Sequence, residues 1–192
     1  MTAKQAIQGT PDTTAIGPKD NFGPAEVRQT KAADLPAILQ LHRRAFGPGR
    51  FALTAYRIRE GTPPISQFCR VSERDGTLIA AVRMTEIEVG GTGGALLLGP
   101  LAVEPQYVNK GYGRQLIASS LAAAREKGLQ LVILVGNSSY YGKFGFVPVP
   151  RDQIVFPGPV DPGRILAFEL APGAIARFHG PIRAIRTDQP DK

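Results

Sequence analysis

Tryptophan is missing from the 192 residues, and cysteine occurs once, at Cys69. A single cysteine excludes an internal disulfide, which is typical of proteins from a reducing compartment. No apolar run approaches the ~20 residues that a membrane-spanning helix needs. Residues 1–25 are rich in Thr, Pro and Gly without a continuous apolar segment, so we expect no secretory signal there. These absences predict a cytoplasmic protein with no membrane partner.

Long runs of positive charge are missing as well. The net charge is +7, yet the basic residues are scattered singly or in pairs such as Arg43-Arg44. A positive charge favours a polyanionic ligand, either a nucleic acid or a phosphorylated small molecule. Because nucleic-acid binding usually relies on clustered basic residues, the scatter makes a nucleic-acid partner unlikely. Cys69 has no convincing histidine partner in the sequence, and we interpret it as a buried strand residue rather than a nucleophile.

The chain has the length and the 43% hydrophobic content of one globular domain. We predict a tail over residues 1–25, a folded domain over 26–171 and a partly ordered C-terminal extension over 172–192. Asp75-Gly76 predicts a hairpin between two early strands. The predicted strands cover residues 26–30, 68–72, 78–89, 95–103, 129–135 and 165–170, and the main predicted helix covers 114–127.

The first predicted helix begins near Asp34, a plausible N-cap. Its apolar residues fall on one helical face: Leu35, Ile38, Leu39, His42 and Phe46. We expect His42 to be a partly buried, hydrogen-bonded residue of that face rather than a base. A weaker second helix is predicted over residues 50–59.

A glycine turn joins a strand to a helix in the middle of the chain. The strand ends at Val103, Gly111 and Gly113 follow, and a helical pattern begins at Arg114. The first N–H groups of a helix have no main-chain partners and the helix dipole is positive there, so an anion such as a phosphate fits. Within the strand, Gly99-Pro100 predicts a bulge or a parting of strands, because proline cannot donate to the ladder.

The order of elements around this turn predicts a mixed α/β sheet. Strand, glycine turn, helix and the apolar strand 129–135 form one βαβ unit, whereas the earlier strands form a hairpin-connected meander. A P-loop is excluded because no Gly-Lys-Ser/Thr ending is present. A Rossmann dinucleotide-binding fingerprint is excluded because no third glycine follows at the required spacing.

These residues resemble the GNAT family of acyl-CoA-dependent N-acetyltransferases. The family's glycine motif corresponds to Val108–Gly113, preceded by the similar lead-in of residues 101–107, and a later block runs from Asn137 through Tyr141 to Phe146. Val108 departs from the motif, where a glutamine or arginine is usual. Since the motif binds mostly through backbone N–H groups, this departure bears on affinity more than on the existence of the site.

The resemblance implies a mostly antiparallel central sheet of about seven strands with helices on both faces, in which strands 4 and 5 are parallel and splayed. It implies acetyl-CoA as co-substrate and no metal. The residues that it assigns to the coenzyme are Leu101, Ala102, Val103, Val108, Asn109, Lys110, Gly111, Tyr112, Gly113, Arg114, Asn137, Tyr141 and Phe144.

By the same resemblance, Tyr141 is the acid that protonates the departing thiolate, which a phenol with an ordinary pKa near ~10 can do. The neighbouring Tyr140 is an alternative, and both tyrosines could instead only pack a helix against the sheet. Asn137 is expected to contact the pantetheine or the thioester.

The general base is open between residues and water. Glu86 and Glu88 alternate with Ile87 and Val89, so both carboxylates face one side of a strand that could floor the acceptor pocket. A solvated sheet face explains the same pattern. Glu104 is expected to shape the turn, and an ordered water is the other candidate.

The resulting expectation is an acyltransferase that moves an acetyl group to a primary amine of a small molecule or peptide by direct attack in a ternary complex. The alternative is a non-catalytic acyl-CoA-binding or sensing module. Arg50, Arg57 and Arg59 could attract an acidic acceptor or simply be exposed. A homodimer is compatible with the resemblance.

Overall fold

The structure is a computed structural model, which describes residues 25–46 and 54–186. Residues 1–24 of the predicted tail, Arg50 and the first part of the second predicted helix therefore lie outside the described residues. The strands of the described part form one sheet in the order β1-β2-β3-β4-β5-β8-β6, with β9 pairing β3 and β7. Their bounds are β1 Glu26–Gln29, β2 Arg70–Arg74, β3 Thr77–Val89, β4 Thr92–Val103, β5 Leu131–Val135, β6 Val147–Pro148, β7 Ile154–Val155, β8 Ile165–Glu169 and β9 Gly180–Ala184.

Helices lie on both faces of this sheet. They are α1 Leu35–Phe46, α2 Thr54–Ile58, α3 Tyr112–Glu126 and α4 Ser138–Tyr141. Leu41 of α1 packs with Ala81 of β3, whereas Leu116 of α3 belongs to the core cluster of Ala80 and Val82. Because successive strand residues point to opposite faces, α1 and α3 cover opposite sides. The predicted mixed α/β fold is confirmed, with nine strands in the described residues, several very short, where about seven were expected.

Strands β4 and β5 are parallel over a short distance only. They pair from Ala95–Leu131 to Leu97–Ile133, after which β4 continues beside β3 and β5 continues beside β8. Just beyond the last pair, Gly99 and Pro100 of β4 stand opposite the single residue Arg83 of β3. This two-against-one arrangement is a β-bulge. The proline interruption therefore marks both a bulge and the point where the parallel strands part.

The apolar face of α1 differs from the expected one. Leu41 is fully buried, with Ile38 and Ala45 packed beside it, whereas Leu39 is 52% exposed and Phe46 is 41% exposed. Only a narrow side of α1 packs on the sheet, because the sheet residues beneath it are small. The apolar residues on either side of this contact line cavities instead. The residue that α1 buries most completely, Leu41, is therefore not among the five that the sequence placed on its apolar face.

Asp34 does not act as a simple N-cap of α1. It ends a 3₁₀ turn over Ala32–Asp34, and its carboxylate accepts a hydrogen bond of 2.7 Å from the Lys31 N–H. Arg28 donates to both Asp34 oxygens at 2.8 Å and also pairs with Glu73 of β2 at 2.7 Å. The guanidinium holds the pKa of Asp34 below its usual value of 3.8. This network ties the start of α1 to the edge of the sheet.

The C-terminal segment contributes to the core. Phe178 is fully buried in the cluster that includes Leu97 and Ile133, and β9 pairs with the end of β3 at Glu88–Arg183. The domain boundaries drawn from the sequence stay predictions. In the part of the chain that the structure describes, no helix combines the length and apolarity that a bilayer crossing requires.

Cys69 is buried, as expected, but lies just before β2 rather than within a strand. Its sulfur accepts hydrogen bonds of 3.3 Å from the backbone N–H groups of Ser66 and Met84. These contacts hold the loop before β2 against β3, which is a packing role.

Candidate active site

A cavity of about 630 Å³ lies where β4, the start of α3 and α4 meet. Every residue assigned to the coenzyme from the sequence lines it, with the exception of Asn137. The divergence of β4 from β5 opens this side of the sheet, and the turn before α3 forms the wall of the cavity. The cavity thus lies beside β4, beyond the point where this strand parts from β5, and at the N-terminus of a fifteen-residue helix.

The turn into α3 presents unpaired backbone to this cavity. Asn109 and Gly111 are left-handed, with φ of 64° and 90°. The first main-chain bond of α3 runs from the Gln115 N–H to the Gly111 oxygen, so the N–H groups of residues 112–114 precede the hydrogen-bond ladder. A Cβ at Gly111 would have no atom within 4 Å, which means that this backbone faces open space. The geometry fits an anionic ligand that approaches the backbone closely.

The charge of the lining agrees with an anion. Lys110, Arg114 and Lys143 all line the cavity, and its lining contains no carboxylate among the described residues. The Arg114 guanidinium carbon lies 5.7 Å from the centre of the Phe144 ring. The aromatic contact orients this cation at the edge of the helix N-terminus. The residues present therefore fit a phosphate-bearing group.

Two adjacent tyrosines of α4 lie on the opposite wall. The Tyr140 hydroxyl is only 2.9 Å from where a Cβ of Gly113 would lie, so it sits at the first turn of α3. The Tyr141 ring packs against Gly136, just beyond the end of β5, so closely that a Cβ there would collide with the ring. Tyr140 thus lies at the end of the cavity formed by the first turn of α3, and Tyr141 lies at the β5 end.

Burial changes the acidity of both phenols. It raises the pKa of Tyr141 to about 12, with the neighbouring Tyr140 adding to the effect. Burial also raises the pKa of Tyr140, while the charge of Arg114 opposes the change. The ordinary value near 10 expected from the sequence does not hold for Tyr141, because its ring is packed between β5 and Phe146.

Asn137 lies outside the cavity and has a structural function. Its side-chain oxygen accepts a 2.8 Å hydrogen bond from the Ser139 N–H and a 2.7 Å bond from the Ser139 hydroxyl. It is therefore the N-cap of α4, which fixes the helix that carries both tyrosines. A direct contact between Asn137 and a ligand stays a prediction.

The two candidate base carboxylates are not brought to this cavity. Glu86 lies opposite Leu96 of β4, and Glu88 lies opposite Arg183 of β9. Glu88 lines a different cavity, together with Arg57 and Arg186. Glu104 receives a 3.0 Å hydrogen bond from Arg44 and so links the end of β4 to α1, in line with a role in shaping the turn.

A further cavity of about 340 Å³ lies between α1, α2 and β3. His42 and Arg59 line it, and so does Arg83, which the sequence analysis did not single out. The available signal was a single basic residue within the largely apolar strand 78–89. Phe46 and Lys143 line the larger cavity, and neither was expected there from the sequence. Phe46 was missed because helical periodicity alone does not distinguish a core face from a cavity wall.

Comparison with known proteins agrees with this geometry. The family model described as the acetyltransferase (GNAT) domain matches residues 26–149. The uncharacterized N-acetyltransferase YjhQ of Escherichia coli K12 is 28% identical over 127 residues, which cover 65% of this chain and 70% of that protein. The uncharacterized N-acetyltransferase YhbS of the same strain is 29% identical over 114 residues, covering 59% of this chain and 68% of that protein.

Solved structures give the same result. The crystal structure of Escherichia coli YhbS in complex with CoA has a TM-score of 0.72 at 26% identity and covers 87% of this chain and 93% of that one. A GNAT family acetyltransferase from Brucella melitensis, in complex with acetyl-CoA, has a TM-score of 0.57 at 26% identity and covers 76% and 96%.

The splayed strands, the glycine turn and the tyrosine wall form one candidate coenzyme site. The chain belongs to the GNAT family of acetyltransferases.

Proposed function

We propose that this protein is an N-acetyltransferase that transfers an acetyl group from acetyl-CoA to a primary amine of a small molecule or peptide. The observation that supports this most is the convergence of the glycine turn, three basic residues and two tyrosines on the cavity between the diverging strands. The similarity to the CoA complex of YhbS and the acetyl-CoA complex of the Brucella protein supports coenzyme A as the ligand.

In this proposal, the backbone of Asn109–Gly113 and the first turn of α3 hold the pyrophosphate of the coenzyme. N–H groups without main-chain partners and the helix dipole stabilise the negative charge, and Lys110 and Arg114 add to it from the rim. The pantetheine arm lies in the gap beyond Leu97 and Ile133, beside residues 101–103 of β4.

The transfer needs no covalent intermediate on the enzyme. The acceptor amine, deprotonated, attacks the thioester carbonyl; a carbon–nitrogen bond forms and the carbon–sulfur bond breaks. A backbone N–H of β4 stabilises the oxyanion, an effect that is often the largest catalytic contribution. Holding both reactants in one complex supplies a further part of the acceleration.

Tyr141 is the proposed hydrogen donor to the departing thiolate. Its position at the β5 end of the cavity favours it over Tyr140, whose hydroxyl lies at the phosphate end. Because its pKa is about 12, Tyr141 is fully protonated at neutral pH and is a weaker acid than a free phenol. It therefore stabilises the thiolate mainly through a hydrogen bond. If the sulfur takes the phenol proton as the bond to carbon breaks, Tyr141 regains a proton through water from the one that the amine loses, so the protons balance.

The amine must lose a proton during the reaction. Neither Glu86 nor Glu88 lines the coenzyme cavity, so we propose a bound water as the proton acceptor. A carboxylate role would require one of these residues to act through intervening water.

Calorimetry with acetyl-CoA and a thiol-release assay against a panel of amines test the proposal. We expect coenzyme binding in the micromolar range, release of CoA with at least one amine, and at least a tenfold lower turnover in Tyr141→Phe with unchanged coenzyme affinity. Binding without turnover of any amine would favour the sensing module instead. No heat with any CoA species would refute both readings.

A further inference from the structure

The 340 Å³ cavity between α1, α2 and β3 has a positively charged lining. Two arginines, Arg59 of the segment after α2 and Arg83 of β3, line it together with apolar residues of α1. The cavity also includes Pro100 of the bulge, whose neighbour Leu101 lines the coenzyme cavity. The two cavities thus lie on either side of adjoining residues of β4.

Arg59 is almost completely buried, with 5% of its surface exposed. Its guanidinium donates 2.9 Å to the Ala55 oxygen and 3.4 Å to the Leu98 oxygen, both of which are neutral acceptors. The remaining Nε is buried and has no hydrogen-bond partner among the described residues. A buried donor of this kind is costly to leave unsatisfied, because burial removes its water without supplying a substitute.

Arg83 repeats this situation at the β-bulge. Its guanidinium donates 2.9 Å to the Thr62 hydroxyl and 2.9 Å to the Pro63 oxygen, and its Nε is likewise buried without a partner. The bulge places this side chain in the cavity at the level where β4 and β5 part.

Within residues 25–46 and 54–186, no carboxylate forms an ion pair with either arginine. Glu60 lines the same cavity but is exposed at its rim. Burial and the charge of Arg83 lower the pKa of Arg59 to about 9. A buried cation beside a half-buried one is unfavourable without a counter-ion, and a ligand anion would relieve the cost.

We propose that this cavity binds the carboxylate of the acceptor, so that the substrate is a small amine that also carries a carboxylate, as an amino acid does. This inference rests on the proposed acetyltransferase function. Arginine favours carboxylates because its planar fork matches their two oxygens. The cavity volume suits a small molecule. The apolar wall of Leu35, Ile38 and Leu39 accommodates a hydrocarbon side chain.

The first test measures carboxylate binding without any turnover. Acetate, isovalerate and succinate are titrated against thermal unfolding, each beside its uncharged amide, with Arg59→Gln and Arg83→Gln as variants. Arg43→Gln is the matched control, because Arg43 is exposed on α1 and lines neither cavity.

We expect at least one carboxylate to stabilise the wild type and the Arg43→Gln control more than its amide does. Loss of a charged hydrogen bond should weaken that carboxylate about tenfold or more in the two test variants. If one variant fails to fold, the other carries the result. Equal effects of every carboxylate and its amide on the wild type, or an undiminished carboxylate effect in the variants, would overturn the proposal.

The second test determines which reactant, the acceptor amine or the acyl chain, carries the carboxylate that the cavity binds. Thiol release is compared for acetyl-CoA with L-leucine, L-leucinamide and isopentylamine, and for succinyl-CoA with isopentylamine. We expect carboxylate-dependent turnover with leucine that is lost in Arg59→Gln. Turnover that depends on the carboxylate of succinyl-CoA would assign the anion to the acyl chain and refute the acceptor assignment. Efficient turnover of isopentylamine from acetyl-CoA would support the transferase and refute the carboxylate requirement, so the two proposals fail separately.

Discussion

Gly111 and Gly128 bracket α3 and have nearly the same local environment. Their φ angles are 90° and 72°, and a Cβ at either position would have no atom within 4 Å. A left-handed conformation costs an L-residue about 1 kcal/mol, so both positions favour glycine for the same backbone reason. Only Gly111 faces the coenzyme cavity.

Alanine at these two positions therefore separates a backbone effect from a ligand effect. We expect Gly111→Ala and Gly128→Ala to lower the free energy of unfolding by a similar amount, about 1 kcal/mol. Only Gly111→Ala should weaken coenzyme binding, by about tenfold, because its methyl group occupies space that the phosphate needs. Urea unfolding and calorimetry measure the two effects. Equal coenzyme affinity in both variants would contradict the placement of the pyrophosphate.

The raised pKa of Tyr141 makes the free energy of unfolding depend on pH in the alkaline range. Its pKa is raised from 10.0 to about 12, so the folded protein keeps this proton longer than the unfolded chain does. The resulting stability is complete below pH 10 and is lost as the pH rises towards 12. Between pH 9 and pH 11, the free energy of unfolding of the wild type should fall by about 1 kcal/mol more than that of Tyr141→Phe. A constant difference between the two proteins would show that the phenol is not buried.

At the scale of elements, the glycine turn and α3 could be predicted because their determinants are local. Positive φ requires glycine, and the apolar spacing of residues 114–127 indicates one helical face. The positions of Glu86 and Glu88 could not be predicted in the same way. Alternation shows that they share a face, but their surroundings depend on β9, which arrives from about a hundred residues later in the chain.

The ion network at the start of α1 belongs to this scale. Since the Arg28 guanidinium holds the pKa of Asp34 low, its stabilisation is present above pH 4 and is lost as the pH falls through the lowered value. Asp34→Asn should lower the free energy of unfolding by about 1 kcal/mol at pH 7, a modest effect because solvent screens the ion pair. This difference between the two proteins, measured by urea unfolding, should become smaller towards pH 3. Asp75→Asn, an exposed turn position, is the control and should have almost no effect.

At the scale of the whole molecule, the core extends beyond the segment that the family model matches. That segment ends at residue 149, yet Phe178 is fully buried among residues of β4 and β5. The sequence pattern did not predict where the C-terminal segment packs. Its contacts are with residues far away in the chain, and its short turns are too short to show a periodic pattern of apolar residues. Arg59 was expected only as one of three arginines that could attract an acidic acceptor or be exposed. Its pairing with Arg83 was missed for a related reason: the Arg59 guanidinium meets the β4 bulge only in the folded chain, where it donates to the Leu98 oxygen.

Phe178→Ala tests how far the C-terminal segment stabilises the molecule. Removing a fully buried phenylalanine leaves a cavity, and we expect a loss of about 3–5 kcal/mol in the free energy of unfolding. Phe46→Ala is the matched control, because the Phe46 side chain is 41% exposed and should cost about 1 kcal/mol or less. Chemical denaturation measures both. A small effect at Phe178 would show that the segment docks weakly on the remainder of the domain.

The bulge of β4 also changes which residues of the strand point to the α3 side of the sheet. Leu96 and Leu98 before it and Leu101 and Val103 after it all join the core beneath α3, so the parity of inward-facing positions changes from even to odd. Losing or gaining one residue at Gly99-Pro100 would turn every later side chain of the strand to the opposite face of the sheet. Length at this point is therefore constrained more tightly than residue type, and insertions or deletions should be tolerated far less than substitutions.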